Sequence, residues 1–104
     1  MDLSKDVIIE QLVKHSDDLK NFGLVQLGLF GSSVRNESTV NSDIDFIADF
    51  NPAKKSYKNY IRLVYYLEQL FGRNVDLITN DALPKNRDFT NNITKEVAYV
   101  SFVA

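Results

Sequence analysis

The stretch Asp43-Ile44-Asp45-Phe46-Ile47-Ala48-Asp49-Phe50 puts Asp43, Asp45, Ile47 and Asp49 on one side and Ile44, Phe46, Ala48 and Phe50 on the other. That two-residue period is the mark of a strand with one buried face, and Asn51-Pro52 ends it. Upstream, Leu24 to Phe30 (LVQLGLF) is short, mostly apolar and bounded by glycines, so it reads as a buried strand. Downstream, Asn74 to Thr79 (NVDLIT) reads as a third. Helical patterns separate them. Ser4 can cap a first helix in which Ile8, Ile9, Leu12, Val13 and Leu19 recur until Gly23. Gly31-Ser32-Ser33 can open a short helix through about Glu37, followed by a polar loop from Ser38 to Ser42. From about Ser56 to Phe71 the residues Tyr60, Ile61, Val64, Leu67, Leu70 and Phe71 form a helical stripe ending at Gly72. After Pro84, the spacing of Phe89, Ile93, Val97 and Val100 predicts a last helix. The order is αβαβαβα, which predicts one small α/β layer structure around a three-stranded sheet.

Composition narrows the function. A chain of 104 residues fits one domain, 1–104, with no second domain to hold a substrate. Twelve Lys and Arg against 14 Asp and Glu give a formal charge of −2, so nothing favours holding a polyanion by electrostatics alone. Direct nucleic-acid binding is therefore not expected. Cysteine is absent, which excludes disulfides, thiolate metal sites and a Cys nucleophile. Met1 to Asp6 carries no apolar h-region, and no window approaches the roughly 18 apolar residues of a membrane span. No membrane association and a cytoplasmic location are the expectations.

Asp43 and Asp45 leave the same strand face with Cα atoms about 6.5–7 Å apart. Two adjacent carboxylates repel, and a cation or a shared proton offsets that cost. Asp76 lies inside the apolar run Val75-Asp76-Leu77-Ile78. If its strand neighbours the one carrying Asp45, it joins the pair from about 5 Å across the ladder. Three oxygen donors favour a hard, hydrated cation such as Mg²⁺ over zinc. Asp49 shares the face but lies about 20 Å from Asp43, too far for the same ion. Gly31-Ser32 ends the first strand and opens a helical turn, where backbone N–H groups favour a phosphate. Arg35, one turn after Ser32, could reach the same phosphates as a donor fork. A phosphate cradle beside carboxylates able to hold Mg²⁺ is what transfer chemistry on a nucleoside triphosphate requires.

These residues carry a resemblance. Gly31-Ser32, ten residues, then Asp43-Ile44-Asp45 is similar to the G-S-x10-D-x-D signature of the minimal nucleotidyltransferases of the polymerase-β superfamily. Arg35 in G-S-x-x-R, Ser42 in S-D-I-D-F, Asp76 in V-D-L-I and the Ile93-to-Tyr99 stretch extend the likeness over essentially the whole chain. Asn36 departs from it, standing where many members have glycine; Asn tolerates a left-handed backbone better than most residues. The resemblance implies an α/β (α+β) fold with a short three-stranded mixed sheet flanked by about four helices. It also implies the antitoxin of a HEPN–MNT toxin–antitoxin pair, which transfers AMP from ATP to a tyrosine hydroxyl of a HEPN ribonuclease toxin. Asp43, Asp45 and Asp76 would then be both catalytic residues and ligands of two Mg²⁺ ions, with Gly31, Ser32 and Arg35 binding the nucleotide. A hetero-oligomer with the toxin is the implied assembly.

Other readings stand beside this one. The chain could neutralise its partner by binding alone, or could adenylylate a small molecule, although the second normally needs a further domain. His15 has nothing at metal-ligand spacing and reads as a surface or interface residue. Lys54, Lys55, Lys58 and Arg62 read as a solvated face that could meet an acidic partner or the nucleotide. Tyr57, Tyr60, Tyr65 and Tyr66 read as core and interface packing in the third helix, with base stacking as the lesser alternative.

Overall fold

The computed structural model describes residues 4–31, 43–80 and 97–102. Ser4 opens α1 (Lys5–Lys14), its hydroxyl accepting from the Val7 amide at 3.3 Å, and Asp6 supplies the favourable charge in the first turn. The single helix expected up to Gly23 is instead two. His15 leaves helical geometry (φ −103°, ψ 23°), and α2 (Ser16–Asn21) restarts behind it. Ser16-Asp17-Asp18 explains the restart, because these side chains suit a helix N-terminus better than an interior. Ile8, Leu12 and Leu19 are fully buried, whereas Val13, expected on the apolar stripe, is 55 % exposed.

Four strands follow, where three were expected: β1 (Leu24–Phe30), β2 (Ile44–Phe50), β3 (Val75–Thr79) and β4 (Ala98–Ser101). They form one mixed sheet in the order β3-β2-β1-β4. β1 is antiparallel to β2 and β4, while β2 and β3 are parallel and joined by α3 (Tyr57–Phe71). The helix expected around Phe89, Ile93, Val97 and Val100 is corrected at its end, since Ala98 to Ser101 pair with β1. Its earlier part lies outside the described residues, as do all but Gly31 of the short helix expected through about Glu37 and the whole of the loop expected from Ser38 to Ser42. Three helices are described, against about four expected.

One contiguous core contains Ile8, Leu12 and Leu19 of the first two helices, Leu63, Leu67 and Phe71 of α3, and inward residues of every strand. All three helices therefore cover one sheet face. A bulge between Leu24 and Gln26 lets Leu24 join Leu27 and Leu29 on that face, although the three do not follow one two-residue period. In β2 the alternation holds as read: Ile44, Phe46, Ala48 and Phe50 face the core. α3 starts at Ser56, whose hydroxyl accepts from the Asn59 amide at 3.1 Å, and stops at Gly72 in left-handed geometry (φ 65°). Its buried stripe is Leu63, Leu67 and Phe71; Ile61, expected inside, is 45 % exposed. Among the described residues no helix is long and apolar enough to cross a membrane.

Candidate active site

The sheet face turned away from the described helices carries Phe30 of β1, Asp45, Ile47 and Asp49 of β2, and Asp76 and Ile78 of β3. Register decides which of these meet. Asp45 is paired with Phe30 on one side and with Asp76 on the other, so the two carboxylates stand on neighbouring strands in one row. Asp43 precedes β2 by one residue and has the same parity as Asp45. The three acids expected to converge are thus at one end of the β2–β3 pair. Asp49 is opposite Gln26, farther along β2.

Two hydrogen bonds hold that end in place. The Ile44 amide donates to the Asn74 carbonyl at 3.0 Å, and the Val75 amide donates to Glu68 Oε2 at 3.1 Å. They fix the residues that flank Asp43, Asp45 and Asp76. Sequence reading missed Glu68, although a signal was present. It is a carboxylate in the last turn of α3, where the helix dipole disfavours negative charge, so a compensating partner is to be expected. On the far side of β3 the Tyr60 hydroxyl donates to the Leu77 carbonyl, tying α3 to the residue after Asp76.

The site is electrostatically tense. Burial pushes the Asp45 carboxyl up from its ordinary range, and the charges of Asp76 and then Asp43 push it further the same way. Gly31 adds a steric constraint. It follows β1 at φ +75°, and a Cβ there would overlap Asp45 Oδ2 and stand 3.3 Å from Asp45 Cγ. The glycine expected to admit a ligand is thus also the residue that leaves room for the Asp45 carboxylate. Ser32 and Arg35 lie outside the described residues.

Among the described residues, no group of three or more His, Asp or Glu side chains is assembled so that it could hold a metal by itself. The donor chemistry nevertheless suits Mg²⁺, which is commonly bound by one or two carboxylates with water and substrate phosphates completing its shell. Asp45, raised by burial and by two like charges, is the carboxylate whose ionised form such a cation would relieve.

Residues 9–100 match the model of the family described as nucleotidyltransferase domain. The chain belongs to that family. The nucleotidyltransferase is 35 % identical over 99 residues to the protein adenylyltransferase MntA of Thermococcus cleftensis, covering 94 % of this chain and 97 % of the relative. Its fold is that of the minimal nucleotidyltransferases: one solved structure of that description superposes with a TM-score of 0.70 at 24 % identity, covering 86 % of this chain and 93 % of the other. A toxin–antitoxin structure with AMP-PNP superposes at 0.68 and 18 % identity, covering 88 % of this chain and 70 % of that one.

Proposed function

We propose that this nucleotidyltransferase is an antitoxin that transfers AMP from ATP to a tyrosine hydroxyl of a cognate HEPN ribonuclease toxin, in a hetero-oligomer with it. The observation that carries the reading is the convergence of Asp45 and Asp76 in register, with Asp43 beside them, at the strand end where Gly31 leaves β1. The similarity to a protein adenylyltransferase over nearly the whole chain supports transfer to a protein. The likeness to a toxin–antitoxin structure rests on fold alone.

In this reading the acceptor oxygen attacks the α-phosphorus of ATP, the bond to the bridging oxygen of the β-phosphate breaks, and pyrophosphate leaves. The hydroxyl proton passes to water as the new P–O bond forms. Asp43, Asp45 and Asp76 would hold two Mg²⁺ ions, which supply charge neutralisation at the attacking and leaving oxygens. Asp45 and Asp76, on adjacent backbones, fix the direction of approach, since in-line displacement is sensitive to orientation. Gly31, Ser32 and Arg35 would hold the phosphates through backbone amides, a hydroxyl and a guanidinium.

The test is transfer of label from α-labelled ATP, with Mg²⁺, to the protein encoded beside this chain. Wild type is expected to label it and Asp43→Asn/Asp45→Asn to fail. If the toxin is silenced with no label on it, the catalytic reading is wrong and binding alone neutralises it.

A further inference from the structure

The outer side of α3 carries a second apolar stripe besides the one in the core. Tyr57, Ile61 and Tyr65, spaced four apart, are 80, 45 and 64 % exposed, so they lie on one solvent-facing line of the helix. Ile61 and Tyr65 edge a surface groove of about 630 Å³, also lined by Phe22, Arg62, Tyr66 and Gln69. Its floor is fixed: the Phe22 and Tyr66 rings meet at 5.4 Å, and the Tyr66 hydroxyl donates to Asp18 Oδ2 at 3.0 Å. Beside the apolar line runs a basic one. Lys58 and Arg62 are both exposed and four apart on the helix, and Lys54 is exposed in the turn before it. No Asp or Glu occurs between Asp49 and Glu68, so α3 itself carries no acid on this face before its last turn; Asp18 of α2 borders the groove at the Tyr66 side.

We infer that this outer face of α3 docks a protein partner through an acidic segment bearing an apolar stripe, its apolar side chains in the Ile61–Tyr65 groove and its carboxylates against Lys58 and Arg62. Charge complementarity identifies the occupant. A two-fold contact centred on Lys58 and Arg62 would bring like charges together, which is repulsive. A single-stranded nucleic acid could also meet the cations and stack on the tyrosines, but the net charge of −2 gives it no long-range attraction to this chain. The inference rests on the proposed function only in taking the partner to be the toxin. The carboxylates Asp45 and Asp76 lie on the opposite sheet face, so a toxin held here leaves them open to an acceptor tyrosine carried by another segment or copy of it.

The experiment measures affinity for the protein encoded beside this chain by calorimetry, in low and high salt. Lys58→Glu/Arg62→Glu and Ile61→Ala/Tyr65→Ala are each expected to weaken binding by about tenfold or more, with unchanged melting temperatures. Wild-type binding is expected to weaken with salt, and Asp43→Asn/Asp45→Asn to bind as wild type does. Unchanged affinity in both surface variants overturns the inference, whether or not AMP is transferred. So does a wild type that fails to bind the partner, or variants that lose affinity only for a single-stranded RNA. Lost binding in the surface variants with no AMP transfer by wild type leaves the docking surface standing and removes the catalytic reading.

Discussion

Gly31→Ala tests the geometry of the site through one methyl group. At φ +75° an L-residue is strained by about 1–2 kcal/mol, of which about 0.4–1 is offset because alanine restricts the unfolded chain. The methyl would also overlap Asp45 Oδ2. Asp45 is held by its pairing with Phe30 and Asp76, so its carboxylate must turn from its rotamer at about 0.5–1.5 kcal/mol. The expected loss is about 0.5–3 kcal/mol, a fall in melting temperature of roughly 4–8 °C per kcal/mol for a domain of this size. A double-mutant cycle isolates the steric part. In an Asp45→Ala background the clash is gone, because Asp45 Cβ stands 3.5 Å from the added methyl, an ordinary contact. Gly31→Ala should then cost only its backbone share, a coupling of about 1 kcal/mol. Gly72→Ala is the control: its φ is +65° and nothing lies within 4 Å of the added Cβ, so only the backbone share is expected. Equal losses for Gly31→Ala with and without the Asp45 carboxylate, measured by thermal and urea unfolding, would refute the contact.

Asp45→Asn should raise the melting temperature at pH 7 and lose that advantage at pH 3. A raised carboxyl leaves wild type most stable below the unfolded carboxyl's pKa, and the stability is lost as pH rises through the folded one. Mg²⁺ with a non-hydrolysable ATP analogue should stabilise wild type more than Asp45→Asn in the same melts, as the proposed cation binding requires. Leu63→Ala should cost about 2–5 kcal/mol in urea unfolding because Leu63 is fully buried, whereas Ile61→Ala should stay within about 0.5 kcal/mol. The Tyr66 hydroxyl, pushed up to about 12 by burial and by its bond to Asp18, should ionise above the ordinary tyrosine range by ultraviolet absorbance, and Asp18→Asn should lower it.

Local pattern was enough for much of this protein. The alternation of β2 determined which side is buried and put Asp43 and Asp45 together, because successive side chains in a strand must point opposite ways. Ser4, Ser56 and Gly72 marked helix ends because orphan amides and carbonyls need those residue types nearby. Errors arose where one pattern fits two structures. Val97 and Val100 share the three-residue spacing of a helix, yet Val100 and Phe102 are core residues of a strand and the position just after it. Ile61 and Leu63 lie on opposite sides of α3, and only the packed sheet shows which stripe it takes.

Tertiary structure decided the rest. That β4 closes the free edge of β1, that a bulge turns Leu24 inward, and that Asp76 falls level with Asp45 all follow from strand pairing between distant segments. Pairing energy depends on both strands at once, so one strand's residues cannot state its partner or register. The sequence by itself determined which acids could serve one site; the parallel register of β2 and β3 decided that Asp45 and Asp76 face each other across a single hydrogen-bonded row.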